Sequence, residues 1–280
     1  MVLNVPALRR RSVASLALAT VLGVAILLPG AAVATTTTVD AATLTATETA
    51  MVSALNADRA ARGLVAVRTD ARLMAIARAR SDDMVANAYF SHIQPNGQNV
   101  FDILTAQHLT WFNAGEIIAR NNYPMDVTVN VANRQWLESP GHYAIITSSD
   151  LNYVGVGLAL RPDTGEKIWT AVFIKGPDRT GARATAYTPK VTVGSNASTR
   201  TMRWSWTGAD VRLQVLTAGL RSYAVQRRVD GGSWTTTFSS TTLKAASFTL
   251  HLGHRYEFRV SARDRAGNRG AWVTKVIDLR

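Results

Sequence analysis

Residues 151–175, LNYVGVGLALRPDTGEKIWTAVFIK, are the segment from which the fold of the central part of this chain is predicted. Apolar residues alternate over 154–160, and a second apolar run covers 168–175, which is the pattern of two strands. The DTGE sequence between them supplies turn residues, so the two runs are predicted to pair as an antiparallel hairpin. One face of this hairpin is then available to helices.

The sequence before the hairpin has the apolar spacing of helices. A first helix is predicted to end at Gly63, and a second to start after the N-cap residue Asp70. Weaker helices are predicted over 100–108 and 126–138, the latter stopped by Pro140. The inward stripe of the second helix contains Leu73, Ile76, Ala77, Arg80 and Met84. Helices followed by an antiparallel hairpin predict an α+β layered domain.

Residues 1–34 have the composition of an export signal. A basic stretch at 9–11 precedes an apolar core over 13–28, and Ala32-Val33-Ala34 matches a cleavage site. The alternative is an uncleaved membrane anchor, because the weakly polar sequence continues past the core. Residues 35–47, rich in Thr and Ala, are predicted to be a flexible lead-in. The protein is therefore expected to be secreted, with no transmembrane span in the mature chain.

The C-terminal part of the chain follows a segment of linker composition, residues 177–189. Residues 190–280 alternate in short apolar segments, separated by turn sequences such as Asp230-Gly231-Gly232. The segments are KVTV, TMRWSW, VRLQVL, SYAVQRRV, SWTTTF, SFTLHL, YEFRVSAR and AWVTKVID. So many short strands without a helix predict a second, all-β domain built as a β-sandwich.

Charge is distributed unequally between these parts. The whole chain has 31 Lys+Arg against 19 Asp+Glu. Residues 35–189 contain 13 basic and 14 acidic residues, whereas 190–280 contain 15 and 5. One interpretation of this asymmetry is that the basic sandwich associates with an anionic cell-envelope polymer, because its positive potential extends over a Debye length of about 8 Å. The alternative is that the arginines form a solvent-exposed face without a partner. No nucleic acid partner is predicted, because no reading motif is present.

Six short segments of the central part stand in a fixed order along the chain. They are LNADRAARGL (55–64), LMAIARARSDDM (73–84), YFSH (89–92), GEIIAR (115–120), VANRQWLESPGH (131–142) and LNYVGVGLA (151–159). In this order they resemble the bacterial domain of the CAP superfamily, the cysteine-rich secretory, antigen and pathogenesis-related proteins. The resemblance covers 48–176 and implies an α-β-α sandwich with a central cleft. Cysteine itself is absent from this chain, which excludes disulfides and thiol catalysis.

The resemblance also implies which residues meet in the cleft. They are His92 after the second helix, Glu116 of the GE motif and His142 of the GH motif. A possible fourth member is Glu138, but it follows Trp136 by two residues where the family commonly has three. On a helix this difference rotates the carboxylate by about 100°.

The chemistry of these residue types leaves several functions open. His92 and His142 are candidate ligands of a metal such as zinc, and Glu116 can orient an imidazole. The predicted function is binding of a divalent metal, a small molecule or a lipid. The alternative is a peptidase or envelope-polymer hydrolase in which these residues activate water. A third possibility is an adhesive protein in which His92 and Glu116 only satisfy each other's hydrogen bonds. No catalytic residue is assigned.

The all-β part resembles fibronectin type III modules. The resemblance is carried by Trp204, Trp206 and the run LHLGHRYEFRVSARDRAGNRG, residues 250–270. It implies that Tyr256 hydrogen-bonds to backbone upstream, as in a tyrosine corner. Trp234 and Trp272 can stack on sugars, but their positions in strands favour packing within the sheet.

Overall fold

The computed structural model describes residues 39–280. The predicted export signal and residues 35–38 of the lead-in therefore lie outside the described residues. The elements of the central part are α1 Ala41–Ala60, β1 Arg68–Thr69, α2 Ala71–Ala86, α3 Val100–Ala106, β2 Asn113–Asn121, α4 Thr128–Glu138, α5 Pro140–Ile146, β3 Tyr153–Leu160 and β4 Lys167–Lys175. None of the helices within 39–280 combines the length and hydrophobicity required to cross a bilayer.

Helix α1 begins earlier than predicted. The Asp40 side chain accepts a hydrogen bond from the Thr43 amide at 2.7 Å, which caps the helix. Within the first turns, the hydroxyls of Thr45, Thr47 and Thr49 donate to the carbonyls four residues earlier. The prediction of a flexible lead-in is therefore wrong for 41–47, because a cap and threonine side chains stabilise a helix there without an apolar period.

The strands of the central part form one sheet in the order β1-β3-β4-β2. The predicted hairpin is confirmed, since β3 and β4 pair antiparallel with Val156 opposite Ala171. Strand β2 was not predicted and pairs antiparallel with β4. One face of the sheet packs against α1, α4 and α5 through a core that includes Met51, Leu55, Trp136, Ile146, Val156 and Trp169. The other packs against α2 and α3 through Leu73, Ile76, Leu104, Val172 and Ile174. The mixed α+β fold, layered α-β-α, is confirmed.

Two glycines of β3 set the distance between this sheet and α2. A Cβ atom on Gly155 would lie 2.1 Å from the carbonyl carbon of Leu73. One on Gly157 would lie 2.2 Å from the amide nitrogen of Arg78. Both glycines therefore allow the helix backbone to approach closer than any side chain would permit.

The C-terminal part contains β5 Arg183–Ala186, β6 Lys190–Val193, β7 Thr199–Ala209, β8 Leu220–Val229, β9 Thr235–Thr241, β10 Ala245–His251, β11 Arg255–Asp264 and β12 Val273–Asp278. One sheet has the order β10-β7-β5, with β6 also paired to β7, and the other has the order β12-β11-β8-β9. Trp204, Trp206, Tyr223, Leu250 and Phe258 are in their shared core. The all-β character of this part agrees with the prediction.

The predicted tyrosine-corner hydrogen bond is present. The hydroxyl of Tyr256 accepts from the His251 amide at 2.9 Å. The assignment of this region to the fibronectin type III family stays a prediction.

Two segments that follow β4 in the chain differ from their predictions. The predicted linker contains β5, which pairs with β7 and gains backbone hydrogen bonds that composition does not reveal. The segment 211–216, predicted as a strand, forms none. Its Leu213 packs instead in the core beside Leu73, and Gln214 accepts a hydrogen bond from the Val65 amide at 2.6 Å. The apolar alternation of this segment reflects contact with the central part rather than strand pairing.

Candidate functional site

The three cleft residues predicted from the sequence come from three different elements and meet. His92 lies in the loop after α2, Glu116 on β2 and His142 in α5. The Nδ1 atom of His92 is 2.8 Å from Oε2 of Glu116. The ring centroids of His92 and His142 are 6.4 Å apart, with the ring planes at 61°. The two imidazoles and one carboxylate therefore form a single cluster.

Arg80 of α2 binds the Glu116 carboxylate from the buried side of this cluster. Arg80 is fully buried, and its Nε donates to Oε1 of Glu116 at 2.9 Å. Its other nitrogen atoms donate to the Tyr89 hydroxyl at 2.7 Å and to the Ser91 carbonyl at 2.9 Å. Burial lowers the pKa of Arg80 but its ion pair with Glu116 raises it, and the net direction is upward. Arg80 therefore stays charged and fixes both Glu116 and the loop that carries His92.

Tyr89 extends this network to the end of α2. Its hydroxyl accepts from Arg80 and donates to the Asp83 carboxylate. Burial, together with this hydrogen bond to Asp83, raises the pKa of Tyr89 to about 12. The phenol therefore remains neutral at physiological pH and acts as a fixed link between the two charged groups.

His142 is positioned by a helix that was not predicted. Pro140 does end α4, but it occupies the first turn of α5 rather than an irregular loop, because proline suits that position. Burial lowers the pKa of His142, and the neighbouring His92 lowers it further. Since the ordinary histidine value is about 6.5, the His142 ring is neutral at pH 7.

Two cavities flank the pair of histidines. One has a volume of about 310 Å³ and is lined by His92 and Glu116 together with the apolar residues Val100, Phe101 and Ile145. The other, of about 350 Å³, is lined by His142 together with Phe90, Gln135, Trp136 and Ser139. The cluster thus faces space that a ligand of modest size can enter.

Glu138, the possible fourth member, lies elsewhere. Its side chain is 70% exposed and its Oε1 is 4.0 Å from Nε of Arg134, one helical turn earlier. It lines neither of the two cavities. Gln135 and Ser139, on either side of it in the sequence, line the cavity of His142 instead, as the rotation along the helix leads one to expect.

Sequence reasoning missed the role of Arg80. Its position on the inward stripe of α2 was a usable signal, because a charged residue in a buried stripe requires a buried partner. The partner, Glu116, is on a strand 36 residues away in the chain and could not be identified from spacing. The candidate metal ligands in the cleft are the two imidazoles, because both oxygens of Glu116 already contact Arg80 or His92.

Known proteins match the central part of the chain. Residues 52–173 match the family model of the CAP domain, described as the cysteine-rich secretory protein family. The uncharacterised protein YkwD of Bacillus subtilis is 33% identical over 147 residues, which is 52% of this chain and 54% of YkwD. The membrane protein YlbC of the same organism is 32% identical over 131 residues, which is 47% of this chain and 35% of YlbC. The chain thus matches about half the length of one curated relative and a third of the other.

Two solved structures are similar to part of this chain. An extracellular protein of Bacillus anthracis that contains an SCP domain has 27% identity and a TM-score of 0.41, covering 47% of this chain and 41% of that one. An outer surface protein of Borrelia burgdorferi has 19% identity and a TM-score of 0.42, covering 47% of this chain and 93% of that one. The match of sequence motifs and family model agrees with the layered α+β fold described above. Residues 52–173 of this chain are thus similar in sequence to the CAP domain.

Proposed function

We propose that this protein is a secreted binding protein whose CAP cleft holds a divalent metal ion such as zinc, or a small ligand, beside His92 and His142. The observation that carries the proposal is the chain of contacts from Arg80 through Glu116 to Nδ1 of His92. A carboxylate that holds one ring nitrogen of a histidine orients the other nitrogen and increases its basicity, which is the usual arrangement behind metal-ligating histidines.

The donor chemistry of the cleft fits zinc. His142 is neutral at pH 7, as a metal-binding imidazole must be. Two histidine ligands leave coordination positions for water or for a bound molecule, where zinc supplies Lewis-acid polarisation. The apolar residues Val100, Phe101 and Ile145 beside His92 favour a ligand with an apolar portion, either a small molecule or a lipid.

The engagement of Glu116 supports binding over hydrolysis. Its Oε1 accepts from Arg80 and its Oε2 faces Nδ1 of His92, so both oxygens already have partners. Each oxygen keeps a second lone pair, but the contacts with Arg80 and His92 fix the orientation of the carboxylate. Glu116 is better placed to position His92 than to accept a proton.

Secretion and envelope association complete the proposal. They rest on the export-signal pattern of residues 1–34, on the secretory description of the matching family, and on the excess of ten positive charges in 190–280.

Zinc titration by calorimetry tests the cleft. The wild-type protein is expected to bind zinc, and His92→Ala and His142→Ala are each expected to abolish binding. Glu138→Gln is the matched control, because it removes a carboxylate of α4 that lies outside the cleft. Failure of the folded wild-type protein to bind zinc would overturn the metal proposal. Cleavage of casein or peptidoglycan that Glu116→Gln abolishes would overturn a purely binding role.

A further inference from the structure

A row of arginine and tryptophan side chains crosses the outer face of the sheet β12-β11-β8-β9. The inner face of this sheet carries the apolar core residues Tyr256, Phe258 and Val260. The alternate residues of β11, among them Glu257 and Arg259, consequently point outward. Arg228, Trp234, Arg259, Trp272 and Arg269 stack there, and are called the arginine row below.

Each tryptophan of the row contacts two guanidinium groups. The guanidinium carbons of Arg228 and Arg259 lie 4.7 and 4.0 Å from the Trp234 ring centroid. Those of Arg259 and Arg269 lie 4.5 and 5.2 Å from the centroid of Trp272. Two guanidinium groups per indole compete with a sugar for the ring faces. The guanidinium edges, held in place by the rings, are the groups that the row offers to a ligand.

The positive charge of the row is only partly neutralised by protein. Glu257 accepts from Arg228 at 2.8 Å and from Arg255 at 2.5 Å, so one carboxylate serves two arginines. Arg259 donates Nε and Nη2 to the neutral side-chain oxygen of Gln226. Within 39–280, no acidic side chain lies within 4.0 Å of the guanidinium groups of Arg259 or Arg269.

Arg259 and Arg269 each lie close to another positively charged arginine. The pKa of Arg259 is lowered by burial and then by Arg228, and that of Arg269 by burial and then by Arg263. Arg228 and Arg259 are thus held in proximity although they repel each other, and Arg269 is repelled by Arg263. An anion placed along the row would relieve this repulsion.

We infer that the arginine row binds a linear acidic polysaccharide through its carboxylates, with one carboxylate on each guanidinium edge. A guanidinium donates two parallel N–H groups that match the two oxygens of a carboxylate. Successive guanidinium groups of the row are separated by an indole ring. This spacing suits a polysaccharide that has a charge on every second sugar better than one that has a charge on every sugar. The inference deepens the proposed envelope association, on which it rests, and is independent of the metal cleft.

Binding of a defined probe tests the inference. The full-length mature protein is titrated with a hyaluronan oligosaccharide, which carries one carboxylate per disaccharide, and with the same oligosaccharide after its carboxyl groups are reduced. Wild type is expected to bind the first and not the second. Arg259→Gln is expected to weaken binding about tenfold or more. Arg203→Gln is the matched control, because it removes an exposed charge from β7 in the other sheet and should change affinity less than about twofold.

Several outcomes would overturn the inference. Equal affinity for the reduced oligosaccharide, tighter binding of inorganic polyphosphate, or equal losses in Arg259→Gln and Arg203→Gln would each do so. Thermal unfolding of every variant shows whether a loss reflects the site or the fold. A second variant, Arg269→Gln, alters the exposed end of the row and is expected to weaken binding in the same direction.

Pelleting with isolated cell envelopes separates this inference from the proposed association. If wild type pellets and Arg259→Gln does not, both are supported. If both pellet equally, the association stands and the arginine row is not its site. If neither pellets although wild type binds the oligosaccharide, the row is a carboxylate-binding site, but the envelope association fails and with it the role of the row in that association.

Discussion

Arginine serves two opposite purposes in the two parts of this molecule. In the central part, Arg80 is fully buried and bound to the carboxylate of Glu116. On the β-sheet face, Arg259 is half-buried between two indoles and bound only to the neutral amide of Gln226. The positive charge of Arg80 is neutralised within the protein, whereas that of Arg259 is available to a ligand.

Arg59 shows that the buried arginines of the central part have a structural role. It is fully buried and donates to the carbonyls of Val65, Ile146, Ser148 and Leu151. Burial lowers its pKa, but its donors bind α1 to the end of α5 and the following loop. The difference between the two regions therefore separates arginines that hold the fold from arginines that face outward for recognition.

The largest effect is expected for Arg80→Met. The substitution leaves Glu116 buried without its cation, and breaking such a pair typically costs about 3–5 kcal/mol in the free energy of unfolding. Urea denaturation at pH 7 measures the loss. The double variant Arg80→Met/Glu116→Gln should recover part of it, because no uncompensated charge remains. A loss below about 1 kcal/mol in the single variant would show that the pair is not what holds the cleft.

A smaller loss is expected for Gly157→Ala, which pushes α2 away from the sheet and with it Arg80. The added Cβ meets the backbone of Ala77 and Arg78, and overpacking of this kind costs about 1–3 kcal/mol. Gly141→Ala is the matched control, since nothing lies within 4 Å of the new methyl group. It should be neutral or slightly stabilising in α5. Equal chemical stability of the two variants would contradict the close approach of α2.

Arg259→Gln should change stability by no more than about 1–2 kcal/mol, because each exposed cation–π contact contributes about 0.5–1 kcal/mol. Chemical denaturation under the conditions used for Arg80→Met makes the comparison direct. A loss as large as that of Arg80→Met would mean that the arginine row holds the fold, and the contrast between the two regions would disappear.

The smallest expected effect is a shift in the pKa of His142. Its pKa is lowered by burial and by His92, so His92→Gln should move the NMR titration midpoint of His142 upward. Because the folded-state pKa lies below that of the unfolded chain, His142 favours folding when neutral. This contribution is lost as the pH falls through the folded-state value. The titration is carried out with a metal chelator; a midpoint that does not move in the variant would show that His92 exerts no field on His142.

Much of the central part could be predicted from local sequence patterns. The hairpin of β3 and β4 and the Asp70 cap of α2 follow from alternation and capping chemistry, which depend on neighbouring residues only. The onset of α1 and the path of 211–216 could not. Threonine hydroxyls stabilise the former, and the latter is placed by contacts across the junction of the two parts.

The order of the six motifs and the basic excess of the C-terminal part can be read directly from the sequence, because composition and short motifs depend on consecutive residues. The three cleft residues were implied by the family resemblance that those motifs carry. Three features follow only from tertiary contacts: Arg80 neutralises Glu116, Glu138 faces solvent, and arginines and tryptophans from separate strands and loops stack in one row. Those contacts join residues far apart in the chain, and their energies depend on burial and mutual orientation, which no local pattern encodes.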